Sequence, residues 1–356
     1  MALHFADGGG GLQQCLHPKP QYISQNPVAL FTTCMLTIEL LNSCTYFAAF
    51  DVRGRCTLRA AAMYALARLG ARADAIEAFV QSYDPQLQAS PAWQDWPAGE
   101  PWAFALGQAS AWPQYRDLFF QWLAYEGAAS VLSQALPRLT LSCGAAGFDG
   151  LLRTAYAVEC RHHRELADAL AAWACNWQTQ TQITAAPAPT GADVHQALVQ
   201  LPRVASKHSD WMQAMHHAAN ATPLLRAASA LHIGPATLEQ LANAGAQAYA
   251  CSGHAAARAL VTSADAMRRI LPYVEEPTLA LRSYWQDFAA VVAVAGLQAG
   301  KAPAPLAWAA LQKLARASHD VSTIILVDCC QQTAQAYGHD GWWRSAATRA
   351  VLEGSA

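Results

Sequence analysis

The stretch AMYALARLGARADAIEAFVQSYDPQL, Ala62 to Leu87, decides the fold. Apolar residues recur at three- and four-residue spacing on both sides of Gly70-Ala71-Arg72, and alanine, the best helix former, fills much of the rest. The stretch reads as two helices, Arg59 to Leu69 and Ala73 to Tyr83, folded at that turn into a helical hairpin. The same pattern continues along the chain. No segment shows sustained strand alternation bounded by hairpin turns, so the class is all-α.

Working outward, the spacing predicts helices over Tyr115 to Gln134, Phe148 to Asn176, Asp210 to Ala219, Pro235 to Ala250 and Ala255 to Leu271. Others follow over Pro277 to Leu297, Pro305 to Ala317, Val321 to Tyr337 and Trp342 to Leu352. Several begin with Pro, whose missing N–H costs nothing in a first helical turn. Residues 178–192, with Pro187, Pro189 and Gly191, read as a linker, and Gly300 to Pro305 as a shorter loop. The expected organisation is a flexible Gly-rich start (1–27), an N-terminal helical lobe (28–177), the linker, and a C-terminal helical lobe (193–356), the two lobes packed around a central pocket.

Of the 356 residues, 53% are hydrophobic and only 13% charged, against about 25% charged in ordinary soluble domains, so much surface must be buried or paired, and a homodimer is expected. A net charge of −2 with no Lys/Arg cluster removes the electrostatic footprint that nucleic acid or anionic lipid requires. The longest apolar run, Val28 to Phe50, is interrupted by Glu39 and Asn42 and reads as core rather than a membrane span. No segment has the layout of a secretory signal, and the ten cysteines are scattered without a CxxC, which fits reduced, packed thiols and a cytoplasmic location.

The common chemical signatures are missing: GxGxxG after a strand, GxxxxGK[ST], GxSxG, HExxH and the EF-hand loop. A bound nicotinamide or flavin in a Rossmann setting is therefore not expected, and NADPH has no binding motif. The pairs His162-His163 and His216-His217 cannot both face one metal from a regular helix, because neighbours diverge by about 100°. His319, followed by Asp320, precedes the apolar run Ile324 to Val327; it is either a titratable group at a buried helix start or an exposed residue beside a capping Asp. Between Ser90 and Trp112, helical pattern gives way to Pro, Gly and the tryptophans Trp93, Trp96, Trp102 and Trp112. Such a segment either caps a pocket for a flat ligand or is a long loop pinned down by its aromatic rings.

Four stretches together resemble the questin oxidase family, helical oxygenases of anthraquinone and related polyketide pathways. They are the Ala62 to Leu87 hairpin, GFDGLLRTAYAVECRHHRELADALAAWA (Gly147 to Ala174), AARALVTSADAMRRILPYV (Ala256 to Val274) and HDVSTIILVDCCQQTAQAYGHDGWWRSAATRAV (His319 to Val351). Their order and spacing cover much of the chain. In iron-dependent members, the resemblance implies, histidines from these four helices and a lysine beside the last form a metal site. The matching positions here are Leu58, Asp149, Ala259 and Ser322, with Ile325 in the lysine's place; a three-residue shift puts His319 at the fourth position. One carboxylate and at most one imidazole are too few donors for tight iron or zinc binding, so no catalytic metal is expected.

The resemblance then implies a metal- and flavin-independent oxygenase that uses O2 as co-substrate, in which a base deprotonates an electron-rich aromatic or polyketide substrate, free or carrier-bound, and a cation holds the anion. On the matched helices the candidates are Asp149 as base, Arg153 one turn on and Tyr156 beyond it, the alternative being an Asp-Arg pair at i, i+4. Asp265 and Arg268 pose the same choice between site and salt bridge. His319 is the remaining catalytic candidate, and His254, Thr262, Trp102 and Trp112 are candidate substrate contacts. Two other readings fit the same sequence: a non-redox acid/base enzyme catalysing cyclisation, dehydration or rearrangement, and a small-molecule binding protein without catalysis.

Overall fold

The computed structural model describes residues 41–51, 55–92, 94–183, 191–205, 207–295 and 300–354. The expectations for 1–27, for the first part of the apolar run (28–40), for Trp93 and for the middle of the linker (184–190) fall outside these residues. The fold is all-α. A two-stranded antiparallel sheet, β1 (Phe47–Asp51) with β2 (Leu87–Ala89), pairs Phe47 with Ala89 and Asp51 with Leu87. It flanks the expected hairpin, α1 (Arg59–Arg68) and α2 (Ala73–Tyr83). There follow α3 (Trp112–Glu126), α4 (Ala128–Leu139), α5 (Asp149–Cys160), α6 (His163–Asn176), α7 (Val194–Val199), α8 (Trp211–Ala219) and α9 (Thr222–Ala228). The chain continues through α10 (Thr237–Ser252), α11 (Ala255–Ile270), α12 (Pro277–Ala295), α13 (Trp308–Ala317), α14 (Val321–Tyr337) and α15 (Trp343–Glu353).

Two expected helices are each broken in two. The first divides at Gly127, whose φ of 80° only glycine adopts readily. The second divides at Arg161, at φ 52°, after which the His162 side chain caps α6 by accepting the Glu165 N–H (3.2 Å). The short α7 and α9 were not legible in the apolar spacing. Buried side chains from Leu41 to Val351, on both sides of residues 178–192, form one continuous cluster. Among the described residues no helix is long and apolar enough to cross a membrane.

Four helices position the site. Packed in a ring, α1 contacts α5, α5 contacts α11, α11 contacts α14 and α14 returns to α1. Away from their starts they are tied by a buried ion cluster. Arg68 pairs with Asp328 and Glu159, Arg269 with Asp265 and Glu159, and Arg268 with Asp265 (2.7 Å). Tyr156 donates to Asp328 (2.5 Å) beneath the Arg269 guanidinium, which lies 4.5 Å from its ring centroid. Three arginines balance three carboxylates, and each cation sits in the last turn of its helix, where the backbone dipole favours it.

Asp328 and Asp265 are wholly buried, so removing one cation leaves an uncompensated charge in the core. Arg68→Met is expected to cost about 3–5 kcal/mol in urea denaturation followed by circular dichroism, and the double variant Arg68→Met/Asp328→Asn much less. A single-variant cost below about 1 kcal/mol would show that the ion cluster does not hold the ring together.

Candidate active site

At the opposite end of the ring lies a cavity of about 390 Å³. Five helix starts contribute to its lining: Leu58 just before α1, Asp149 of α5, Trp211 and Met212 of α8, Ala255, Arg258, Ala259 and Thr262 of α11, and Val321, Ser322 and Ile325 of α14. A helix start carries the positive end of the backbone dipole; the starts of α8, α11 and α14 are capped by Asp210, His254 and Asp320. The floor is apolar, with Leu58, Leu152 and Ile325, while Asp51, Arg55, His319 and Asp320 bring charge or polarity to the lining.

Asp149 is the first residue of α5, half-buried, and makes no hydrogen bond or ion pair with another described residue. Burial pushes its carboxyl up to about 7, against the charges of Arg55 and Arg258, which favour the anion, and with that of Asp51, which opposes it. Arg258, in the first turn of α11, is also half-buried and without a polar side-chain partner among the described residues. Arg55, in contrast, is held by Asp51 through its Nε (3.1 Å) and Nη2 (3.0 Å). Among the described residues, the cavity therefore brings together an unpaired acid near neutrality and an unpaired cation.

His319 is exposed and lies at the mouth. Ser82 Oγ donates to the Phe79 carbonyl (2.7 Å) and accepts from His319 Nδ1 (3.2 Å), which leaves Nε2 as the acceptor of a neutral ring. Asp320 caps α14, accepting from Thr323 N (2.8 Å) and Thr323 Oγ1 (2.7 Å). The exposed histidine beside a capping Asp is thus what the chain forms, and the ring still borders the cavity.

The five positions aligned through the family resemblance, Leu58, Asp149, Ala259, Ser322 and Ile325, all line this one cavity, and so do His319 and Thr262. Compared with known proteins, the chain matches no family model and no curated protein. The donor set at those positions is one carboxylate, which does not fit an iron site; among the described residues no group of three or more His, Cys, Asp and Glu is placed to hold a metal.

Other sequence candidates go elsewhere. Arg153 does not pair with Asp149: it turns into the core and forms a two-pronged ion pair with Glu165 (2.7 and 3.0 Å). Tyr156, Asp265 and Arg268 belong to the ion cluster, whose arginines hold the Asp265 carboxyl down at about 2 although burial alone would raise it. His254 is an exposed cap of α11, accepting the Ala256 N–H (3.1 Å).

Trp102 and Trp112 do not reach the cavity. Trp102 packs on Phe119 and Trp122, Trp96 on Phe104 and Tyr115, and Arg116 lies over Trp112, so this segment is a loop pinned to α3 by its rings. Arg258 was missed, although Thr262, one turn further along the same helix face, already pointed to it.

A larger cavity of about 860 Å³ lies between α7, α10 and α12. Its carboxylate, Asp193, is engaged in capping α7 through the Gln196 N–H (2.8 Å).

Three carboxyls, those of Asp149, Asp168 and Asp287, are each raised by desolvation from an ordinary 3.8 to about 7. Between those values the folded chain holds protons that the unfolded chain has released, so the stability these three groups contribute is fully present below about pH 4 and is lost as pH rises toward 7. Asp149→Asn is expected to flatten that fall by one proton's share, about 1.4 kcal/mol per pH unit, in denaturation curves collected across this range. Stability that instead rises steadily from pH 4 to 7, with the variant parallel to wild type, would place these carboxyls at ordinary values.

Proposed function

We propose that this chain is an enzyme that removes a proton from a phenol or enol and holds the resulting anion for direct reaction with O2, as an oxygenase independent of metal and flavin. What carries the reading is the pairing, in one cavity of about 390 Å³ with a mixed polar and apolar lining, of a carboxyl near neutrality with an arginine, neither of which has a polar side-chain partner among the described residues. The volume lies in the lower part of the range for ligand pockets and suits a compact aromatic or polyketide-like molecule.

The chemistry follows from those two groups. Asp149, as the anion, takes the substrate proton; a base whose pKa lies near the working pH combines a useful ionised fraction with adequate basicity. Negative charge then develops on the substrate oxygen and its conjugated carbon, where Arg258 and the surrounding helix starts stabilise it without moving. The carbon's electron pair forms a C–O bond to O2, which is reduced to a carbon-bound peroxide. The proton on Asp149 returns to the outer peroxide oxygen, so substrate and O2 sum to the hydroperoxide, which collapses or rearranges.

The first half of that sequence needs no oxidant, and the same two groups support a second reading: a proton-transfer catalyst of cyclisation, dehydration or rearrangement. A panel of hydroxylated polycyclic aromatics and 1,3-dicarbonyl compounds, followed with an oxygen electrode and by mass spectrometry, separates the two. Oxygenation predicts stoichiometric O2 uptake and a mass gain from O2; turnover persisting under strict anaerobiosis selects the non-redox reading, and binding without turnover argues against both.

With a turned-over compound, kcat/KM is expected to rise with pH through about 7 as Asp149 loses its proton. Asp149→Asn should lower the rate roughly 100- to 10,000-fold, and Arg258→Met about 100-fold. An Asp149→Asn enzyme of unchanged rate and pH profile would remove Asp149 from the mechanism.

A further inference from the structure

The backbone preceding Asp149 is unusual. Ala146, Gly147 and Phe148 have φ of 49°, 70° and 73°, three consecutive left-handed residues of which two carry side chains. That conformation is strained for any residue that carries a side chain and persists only where the surroundings over-determine it. Here they do. The buried Phe148 ring meets Tyr284 edge-on at 6.0 Å, and a Cβ on Gly147 would lie 3.0 Å from the Trp211 ring and 3.1 Å from Met212 Sδ. Behind the first turn of α5, a Cβ on Gly150 would lie 2.7 Å from Trp173.

The turn is fastened at its base through one residue. The Gly144 carbonyl accepts from Gly147 N (3.0 Å) and Phe148 N (3.4 Å), while the Gly144 N–H donates to Asp287 Oδ2 (2.6 Å). Asp287 lies in α12, is wholly buried, and uses its other oxygen to accept from Gln180 Nε2 (2.6 Å). A Cβ at position 144 would stand 2.7 Å from Asp287 Cγ, so only glycine permits this approach. A buried carboxylate is an expensive way to fill space, and an apolar side chain would pack α12 more cheaply.

We propose that Asp287 is a positioning residue for Asp149: through Gly144 it holds the left-handed turn that keeps the Asp149 carboxyl unpaired inside the cavity. The inference rests on the reading of Asp149 as the base. The two carboxyls lie on different helices and are joined by one hydrogen-bonded path, from Asp287 to the Gly144 N–H, then from the Gly144 carbonyl to the two residues immediately before Asp149. Freed from that path, the turn relaxes, and Asp149 reaches solvent or the charged and titratable groups of the cavity, Asp51, Arg55, Arg258, His319 and Asp320.

The test is a carboxyl-carbon NMR titration of the full chain labelled at aspartate, with the Asp149 signal assigned by its loss in Asp149→Asn. Asp287→Ala should move the Asp149 midpoint by about one pH unit or more toward the ordinary carboxylate range. Asp287→Asn should leave it with wild type. The amide oxygen of that variant still accepts from Gly144, and its NH₂ donates to a turned Gln180 amide, whose Oε1 has no partner among the described residues. A folded Asp287→Ala chain with an unmoved midpoint, or an Asp287→Asn chain displaced as far as Asp287→Ala, overturns the proposal.

If Asp287→Ala does not fold, Gln180→Leu decides. It removes the other arm of the clasp from a segment outside any helix, and should move the midpoint in the same direction by a smaller amount, no movement being the contrary result. The wild-type trace tests the underlying reading separately: a midpoint near 4 removes Asp149 as a desolvated base, whereas a midpoint near 7 that no variant moves removes only the role of Asp287.

Discussion

Four helices running in one direction would ordinarily repel, because their dipoles align side by side with all the positive ends together. The ion cluster of Arg68, Arg268 and Arg269 with Glu159, Asp265 and Asp328 resolves that conflict, joining the closing turns of α1, α5 and α11 to the middle of α14. Its cations meet helix ends that carry partial negative charge, and its carboxylates neutralise the cations inside the core. With the helices tied there, the four starts are left together at the other side, and the cavity is what they enclose. Bundle and site are thus two ends of one arrangement.

That arrangement explains the properties of Asp149. As the first residue of α5 it lies where a carboxylate is normally stabilised, and Arg258 adds to the same effect. Desolvation nevertheless prevails, leaving an acid near neutrality that nothing among the described residues quenches by pairing. Asp265 shows the opposite outcome. It is buried at least as deeply, but two guanidiniums touch it and its carboxyl falls to about 2. Contact with a cation separates the lowered carboxyl of Asp265 from the raised carboxyl of Asp149.

Much of this was legible in the sequence, and the failures have physical causes. Alanine-rich apolar spacing marked the hairpin nearly to the residue and the other long helices to within a few residues at their ends. It did not show the breaks at Gly127 and Arg161, because apolar spacing continues across both and the turns depend on single backbone angles. Leu58, Asp149, Ala259, Ser322 and Ile325 line one cavity because each lies at or near the start of one of four neighbouring helices.

Partner choice is not legible in the same way. Arg153 is correctly spaced for Asp149, yet Glu165, arriving from the next helix, takes it, and no local pattern reveals a contact made across a turn. The tryptophans misled for a related reason: their clustering marks a loop that needs anchoring, and the anchor is α3 rather than a ligand.

The central claim is that Asp149 is an unpaired, desolvated acid in a cavity formed by helix starts. Infrared difference spectroscopy of wild type against Asp149→Asn, collected at a series of pH values, tests it most directly. The account predicts a protonated-carboxyl band, present one pH unit below a midpoint of about 7 and lost one unit above it, that the variant lacks. No such band anywhere above pH 5 would mean that Asp149 is an ordinary ionised carboxylate, and the account of the site would be wrong.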